Sequence, residues 1–169
     1  MCGSFEEMLD YVDAVNICVP NAFHCDYALR AIKAGKHFLV EKPMAVQIED
    51  CRKLAAACAE YGKTNMVGFV YRFSNAAQQA RKIVREQIGD VYTLSAWFGG
   101  KRLADPSIDL EWRMVRKRSG SVALGDFGSH LVDLADYVAG QRYSEVNCFA
   151  DTFIRERNFG GVMTPVEND

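Results

Sequence analysis

Three short, mostly apolar runs separated by two amphipathic stretches are the feature that most restricts how this chain can fold. The runs lie at 14–19 (AVNICV), 37–42 (HFLVEK) and 64–69 (TNMVGF), and they suit strands buried on both faces of a parallel sheet. Pro20-Asn21 ends the first run, and Asn21 is expected to N-cap a helix through Ala34. That helix would turn Phe23, Tyr27, Ala31 and Ala34 inward and stop at Gly35. A second helix is expected over about 47–61, burying Leu54, Ala55 and Cys58 and closing at Gly62. Strand–helix–strand–helix–strand order with short connections implies parallel pairing through right-handed crossovers.

Past about Tyr71 the pattern changes. Ser74 can cap a helix through about Gln87, and Gly89-Asp90 marks a turn. The stretch 91–98 (VYTLSAWF) is rich in aromatic and β-branched residues and is expected to be a strand, while 145–155 alternates like an antiparallel one. The polar loop at 99–118 is too long for a plain connection. A helix over about 123–138, ended by Gly140, would bury Leu131, Leu134, Ala135 and Val138 and leave Asp133 and Asp136 at the surface. The expected organisation is two domains, 1–72 and 73–169, of the α/β class.

Composition narrows the functions. A net charge of −2 with no basic face speaks against nucleic-acid binding. No apolar run approaches the ~20 residues that cross a bilayer, and no secretory leader pattern opens the chain, so a cytoplasmic protein away from the membrane is expected. The six cysteines form no C-x-x-C pair, and the three histidines form no HxxxH or HExxH pattern. Neither disulfides nor a metal are expected, and the cysteines read as core filler.

Glu41-Lys42-Pro43 ends the second run, and in open α/β sheets ligands bind beyond the carboxyl ends of the strands. A lysine held there can donate to a substrate oxygen or a cofactor, and Pro43 is a candidate for a cis peptide bond. The tripeptide by itself fits an ordinary strand end with solvated charges equally well. Asp126 and His130 stand at i and i+4 in the later helix, which puts them on one face roughly 5–6 Å apart. A carboxylate so placed orients an imidazole for proton transfer to an alcohol or ketone. The plainer alternative is an Asp126 cap and a His130 packed at a rim. Pro20-Asn21-Ala22-Phe23-His24 offers backbone N–H groups to an anionic or ribose-bearing ligand, although His24 fits a first-turn residue bonded to nearby backbone slightly better. Trp112-Arg113 and the run Arg116-Lys117-Arg118 lie in the long loop, where an arginine can meet a phosphate.

In this order the segments PNAFH, AIKAGKHFLVEKP, VGFVYRF and GDFGSHLVDL, preceded by FEEML and VDAV, resemble the family of glucose–fructose oxidoreductase and inositol 2-dehydrogenase over nearly the whole chain. The resemblance implies the C-terminal part of a Rossmann-type parallel sheet, followed by the start of an α+β substrate domain with an antiparallel or mixed sheet. It implies hydride transfer between NAD or NADP and the carbinol carbon of a sugar or polyol, catalysed by Lys42, Asp126 and His130, with His130 as acid and base. Pro20, Asn21, His24, Glu41, Lys42, Pro43, Trp112 and Arg113 would line the cofactor, and Lys42, Arg72, Asp126 and His130 the substrate. Two departures stand out. Ser119-Gly120-Ser121-Val122 replaces a more glycine-rich stretch, and no G-x-G-x-x-G, the turn that grips pyrophosphate, occurs anywhere in the chain. The chain is therefore expected to be the central portion of a longer enzyme, inactive by itself, weak in cofactor binding or without it, and homo-oligomeric. The alternative is a catalytically silent remnant that serves as a sugar-binding or interaction module.

Overall fold

A computed structural model describes residues 2–167. It divides into two compact units. The first runs to Gly68 and also takes in Arg116–Gly120; the second holds Phe69–Val115 and the chain from Ser121 onward.

In the first unit, α1 (Phe5–Asp10) starts at Ser4, whose Oγ accepts from the Glu7 N–H. Then follow β1 (Ala14–Ile17), a 3-10 turn at Asn21–Phe23, α2 (His24–Lys33), β2 (His37–Val40), α3 (Ile48–Tyr61) and β3 (Asn65–Val67). The sheet has the order β1-β2-β3 with both pairings parallel, Val15 beside Phe38 and Leu39 beside Met66. Gly35 and Gly62 end α2 and α3 at φ of 71° and 68°, a backbone that residues with a Cβ rarely adopt.

Two right-handed crossovers running the same way along a sheet put both helices on one side of it. Val15, Ile17, Phe38 and Val40 face α2 and α3 and form the core with Cys25, Ala28, Ala31 and Leu54. Ala14 and Asn16 on the other face are exposed, so the expectation of burial on both faces does not hold within this unit. The inward face of α2 is also shifted. His24, Cys25, Ala28 and Ala31 are buried, whereas Phe23 is 50% exposed, because the 3-10 turn delays the α-helical phase.

In the second unit Ser74 Oγ accepts from the Ala77 N–H and starts α4 (Asn75–Ile83), which runs on as a π turn to Ile88. A second π turn, Ala123–Gly128, leads into α6 (Ser129–Ala139), which ends at Gly140. The loop between them carries 3-10 turns at Arg102–Ala104 and Trp112–Met114 and the short α5 (Arg116–Ser119). The strands of this unit are β4 (Glu156–Phe159) and β5 (Val162–Pro165), antiparallel around Gly160-Gly161. Both glycines have positive φ, as a two-residue hairpin turn requires. The strands expected at 91–98 and 145–155 are irregular and largely exposed instead. Alternation makes a strand only where a partner ladder exists, and among the described residues neither stretch has one.

The core here is small: Met114, Val122 and Val166, with Leu103, Ile108 and Leu110 against them. No residue of α6 is fully buried, which corrects the expected apolar stripe. Of the cysteines only Cys25 is buried, while Cys2, Cys18 and Cys148 are exposed and are not core filler. No described helix is long and apolar enough to cross a membrane. Asn168 and Asp169 lie outside the described residues.

Candidate active site

In the first unit the ladder continues one bond past each strand: Glu41 N–H donates to Ile17 O at 3.0 Å, and Gly68 N–H to Val40 O at 2.8 Å. These bonds bring the residues after β1, the Glu41-Lys42-Pro43 tripeptide and Gly68 to one carboxyl edge of the sheet. The Lys42–Pro43 peptide is cis. Glu41 accepts from the Lys42 N–H at 3.3 Å. A Cβ on Gly68 would stand 3.3 Å from Glu41 Oε1 and 3.4 Å from Val40 O, so glycine leaves room for the carboxylate at that edge.

His24 and Asn21 sit at this edge but face inward. His24 is 1% exposed, with Nδ1 2.7 Å from Pro43 O and Nε2 2.8 Å from Val19 O. Its ring lies between two strand-end loops, as the reading of a residue bonded to nearby backbone expects. Asn21 makes no cap bond; its Nδ2 donates to Ser119 O at 3.0 Å. That bond seats α5 on the first unit, where Ser119 is 3% exposed and Gly120 passes Val46 closely enough that a Cβ would meet it at 3.2 Å. No local pattern in the sequence reports a contact 98 residues away.

In the second unit Asp126 lies within the π turn before α6 and supplies no helix cap, which sets aside the plainer reading of that residue. Such turns often mark functional positions. Its carboxylate is 3.9 Å from Arg113 Nε, and the Arg113 guanidinium lies 4.6 Å from the Trp112 ring. His130, in the first turn of α6, stands between two rings of the 3-10 turn region: Tyr71 at 4.6 Å and Phe69 at 6.3 Å, both edge to face. Its Nδ1 is shielded from solvent. Tyr71 continues to Phe98 at 5.8 Å, and Phe98 to Phe127 at 5.1 Å.

Arg72, expected at the substrate, has its guanidinium engaged. Nε and Nη2 donate to the two oxygens of Asp133 at 2.7 and 2.5 Å, and these bonds hold the guanidinium pKa above its ordinary value. Asp133 is not a surface charge, since its side chain is 9% exposed. An acidic residue one turn past His130 on the same helix was the signal available for it. Arg157 was also missed. It is 0% exposed and donates to the carbonyls of Asp105, Ile108 and Leu103, which fixes the long loop against β4. Arg102 pairs with Glu111 on the same loop, and that hydrogen bond lowers the Glu111 pKa.

No group of three or more metal-ligating side chains occurs among the described residues. The chemistry on offer is that of a strand-end ammonium, a carboxylate and an imidazole in an aromatic frame.

Residues 1–69 match the family described as "Oxidoreductase family, NAD-binding Rossmann fold", and residues 77–169 match the "GFO/IDH/MocA C-terminal domain". The chain is 35% identical over 147 residues to levoglucosan dehydrogenase of Pseudarthrobacter phenanthrenivorans, covering 86% of this chain and 37% of that protein. It is 33% identical over 131 residues to D-glucoside 3-dehydrogenase of Escherichia coli, covering 76% of this chain and 36% of the relative. Among solved structures, levoglucosan dehydrogenase in complex with NADH and levoglucosan superposes at a TM-score of 0.88 with 33% identity, over 99% of this chain and 45% of that one. An oxidoreductase domain protein from Kribbella flavida gives 0.87 and 38%, over 98% and 46%. The chain thus spans little more than a third of these curated relatives and under half of the solved chains. With one family match on each side of residue 70, the chain belongs to the GFO/IDH/MocA family of oxidoreductases.

Proposed function

We propose that this chain carries the reaction residues of an NAD(P)-dependent dehydrogenase or reductase acting on a sugar or polyol. The observation behind this reading is Lys42, set at the carboxyl edge of a parallel sheet in a chain whose other unit presents Asp126 and the ring-framed His130. NAD or NADP, when bound, accepts or supplies the hydride. The residues proposed to hold its nicotinamide end are Pro20, the backbone of Asn21, Glu41, Lys42 and Pro43 in the first unit, where Gly68 makes room for the Glu41 carboxylate. Trp112 and Arg113 are assigned to the same end. His24 supports those loops from behind.

In the oxidation direction the Lys42 ammonium donates a hydrogen bond to the substrate hydroxyl oxygen and to the nicotinamide ribose. His130 removes the hydroxyl proton as hydride leaves the carbon, and returns it when the reaction runs backward. Asp126 steadies the imidazole and the charge it gains. Self-association is part of the proposal. Exposed Tyr92, Trp97, Phe149 and Phe153 provide apolar surfaces for it.

Oxidation of a sugar panel with NAD and NADP, alongside nucleotide fluorescence titration, tests this reading. The expectation is nucleotide binding weaker than micromolar. In the intact, full-length enzyme, Lys42→Ala and His130→Ala should each lower turnover about 10²–10⁴-fold while the melting temperature moves little. Melting shifts at unchanged turnover would mark both residues as structural. Sugar binding without any nucleotide binding would favour a silent sugar-binding module.

A further inference from the structure

We propose that Arg72 and Asp133 are a positioning pair that holds the aromatic frame around His130, and that neither touches substrate; this rests on the role proposed for His130. Phe69 and Tyr71, whose rings meet the imidazole edge to face, both shortly precede Arg72 in the chain. A change in the 3-10 turn Val70–Phe73 therefore moves both rings at once. Val70 and Phe73 are 55% and 61% exposed, and Tyr71 is 42% exposed. The turn is held locally by Ser74 Oγ, which donates to Tyr71 O, and by Gln78 Nε2, which donates to Phe73 O. Its side-chain tie to α6 is the two-pronged bond from Arg72 to Asp133, one turn beyond His130.

The surroundings of the pair support a geometric role. Asp133 is 9% exposed and Arg72 38%, so the bond is shielded on the carboxylate side. The Arg72 guanidinium also lies over Phe69 at 5.9 Å and over Tyr137 at 5.3 Å, and Arg81 covers Tyr137 at 4.1 Å. A planar guanidinium that makes two parallel bonds and stacks on rings has one orientation, whereas an ammonium at the same place has many. Asp133 and His130 share α6, so the pair links the position of the imidazole to that of the turn carrying its neighbours. Proton transfer demands that alignment, and a misplacement of about 1 Å costs roughly 10²-fold in rate.

The test uses long-range proton–nitrogen spectra of the histidine rings at one fixed neutral pH, in the wild-type chain and in Arg72→Lys, Asp133→Asn and the double variant Arg72→Met/Asp133→Leu. The double variant removes both charges together and so avoids leaving a lone shielded ion. His37, whose Nδ1 accepts from the Thr64 N–H in the first unit, is the internal control. Expected are an altered tautomer signature for His130 in every variant, a Tyr71–His130 ring contact weakened at least about twofold, and unchanged His37 signals. In turnover of the full-length enzyme, kcat should fall about 10- to 100-fold with KM within about twofold. His130 signals that superimpose on wild type in the folded double variant overturn the proposal, as does unchanged kcat where the ring signals do change. Altered ring signals in a full-length enzyme that oxidises no sugar overturn instead the oxidoreductase reading on which the proposal rests, so the two failures are distinguishable.

Discussion

The two units hold their reactive side chains by different means. In the first, Lys42 sits on a sheet edge above a core of Ile17, Val40, Leu54, Ala28 and Ala31, each at most 2% exposed. Among the described residues the second buries only Ala77, Met114, Val122 and Val166 of its apolar side chains and relies on arginines: Arg157 on three carbonyls, Arg72 on Asp133, Arg102 on Glu111 and Arg113 near Asp126. Apolar burial is non-directional and tolerates small shifts, whereas a forked hydrogen bond has one geometry. The first arrangement fits a platform that presents one ammonium. The second fits a site where an imidazole must be aimed.

Single substitutions should therefore damage one unit and spare the other. The largest effect is expected for Arg157→Met, which leaves the carbonyls of Leu103, Asp105 and Ile108 without their donor. It should cost about 3–5 kcal/mol, read as faster amide exchange at Leu110 and Met114 with no change in the first unit. Equal acceleration in both units would show that they are not separately stabilised. Leu54→Ala is the converse, at about 2–5 kcal/mol. Its reporter is Cys25, buried at 6% exposure with a thiol pKa pushed up by burial. Iodoacetamide should reach Cys25 faster in the variant, while labelling of the exposed Cys148 stays constant.

Intermediate in size is His24→Phe, which keeps the ring volume but removes the ring N–H that Pro43 O or Val19 O accepts. A loss of about 1–3 kcal/mol is expected by denaturant titration; a neutral result would show that packing alone holds those loops. The smallest effect belongs to Glu111→Gln. The Glu111 carboxyl pKa is lowered mainly by its bond from Arg102, so its stabilisation is present above the ordinary carboxylate range and is lost as pH falls through the depressed folded value. Both partners are partly exposed, so less than about 1 kcal/mol is at stake. The wild type and the variant should converge in stability toward acid pH. A gap that widens in acid would reverse the assignment.

Much of the first unit was legible because its rules are local. Apolar runs, Gly35 and Gly62 specified the parallel order and the helix ends, and Pro43 flagged its own peptide bond. The errors there came from phase and partners: the 3-10 turn displaced the inner face of α2 by a residue, and one-sided crossovers left Asn16 exposed. The second unit was read less well. Strand propensity at 91–98 and 145–155 names no partner, and the hairpin formed instead around Gly160-Gly161, a turn signal that was overlooked. Arg157 and Asp133 look like surface charges in any window of sequence, because the groups they bind lie 49 to 61 residues away.

The seating of α5 has a consequence for synthesis. Every other piece of the first unit has been made once Gly68 leaves the ribosome, yet the place beside Asn21 and Val46 is filled only by Arg116–Gly120. At typical elongation speeds the intervening stretch of about fifty residues takes roughly 3–10 s. During that time the nascent first unit shows an open notch at the edge that carries Lys42, and a chaperone or a nucleotide could occupy it before the chain itself does.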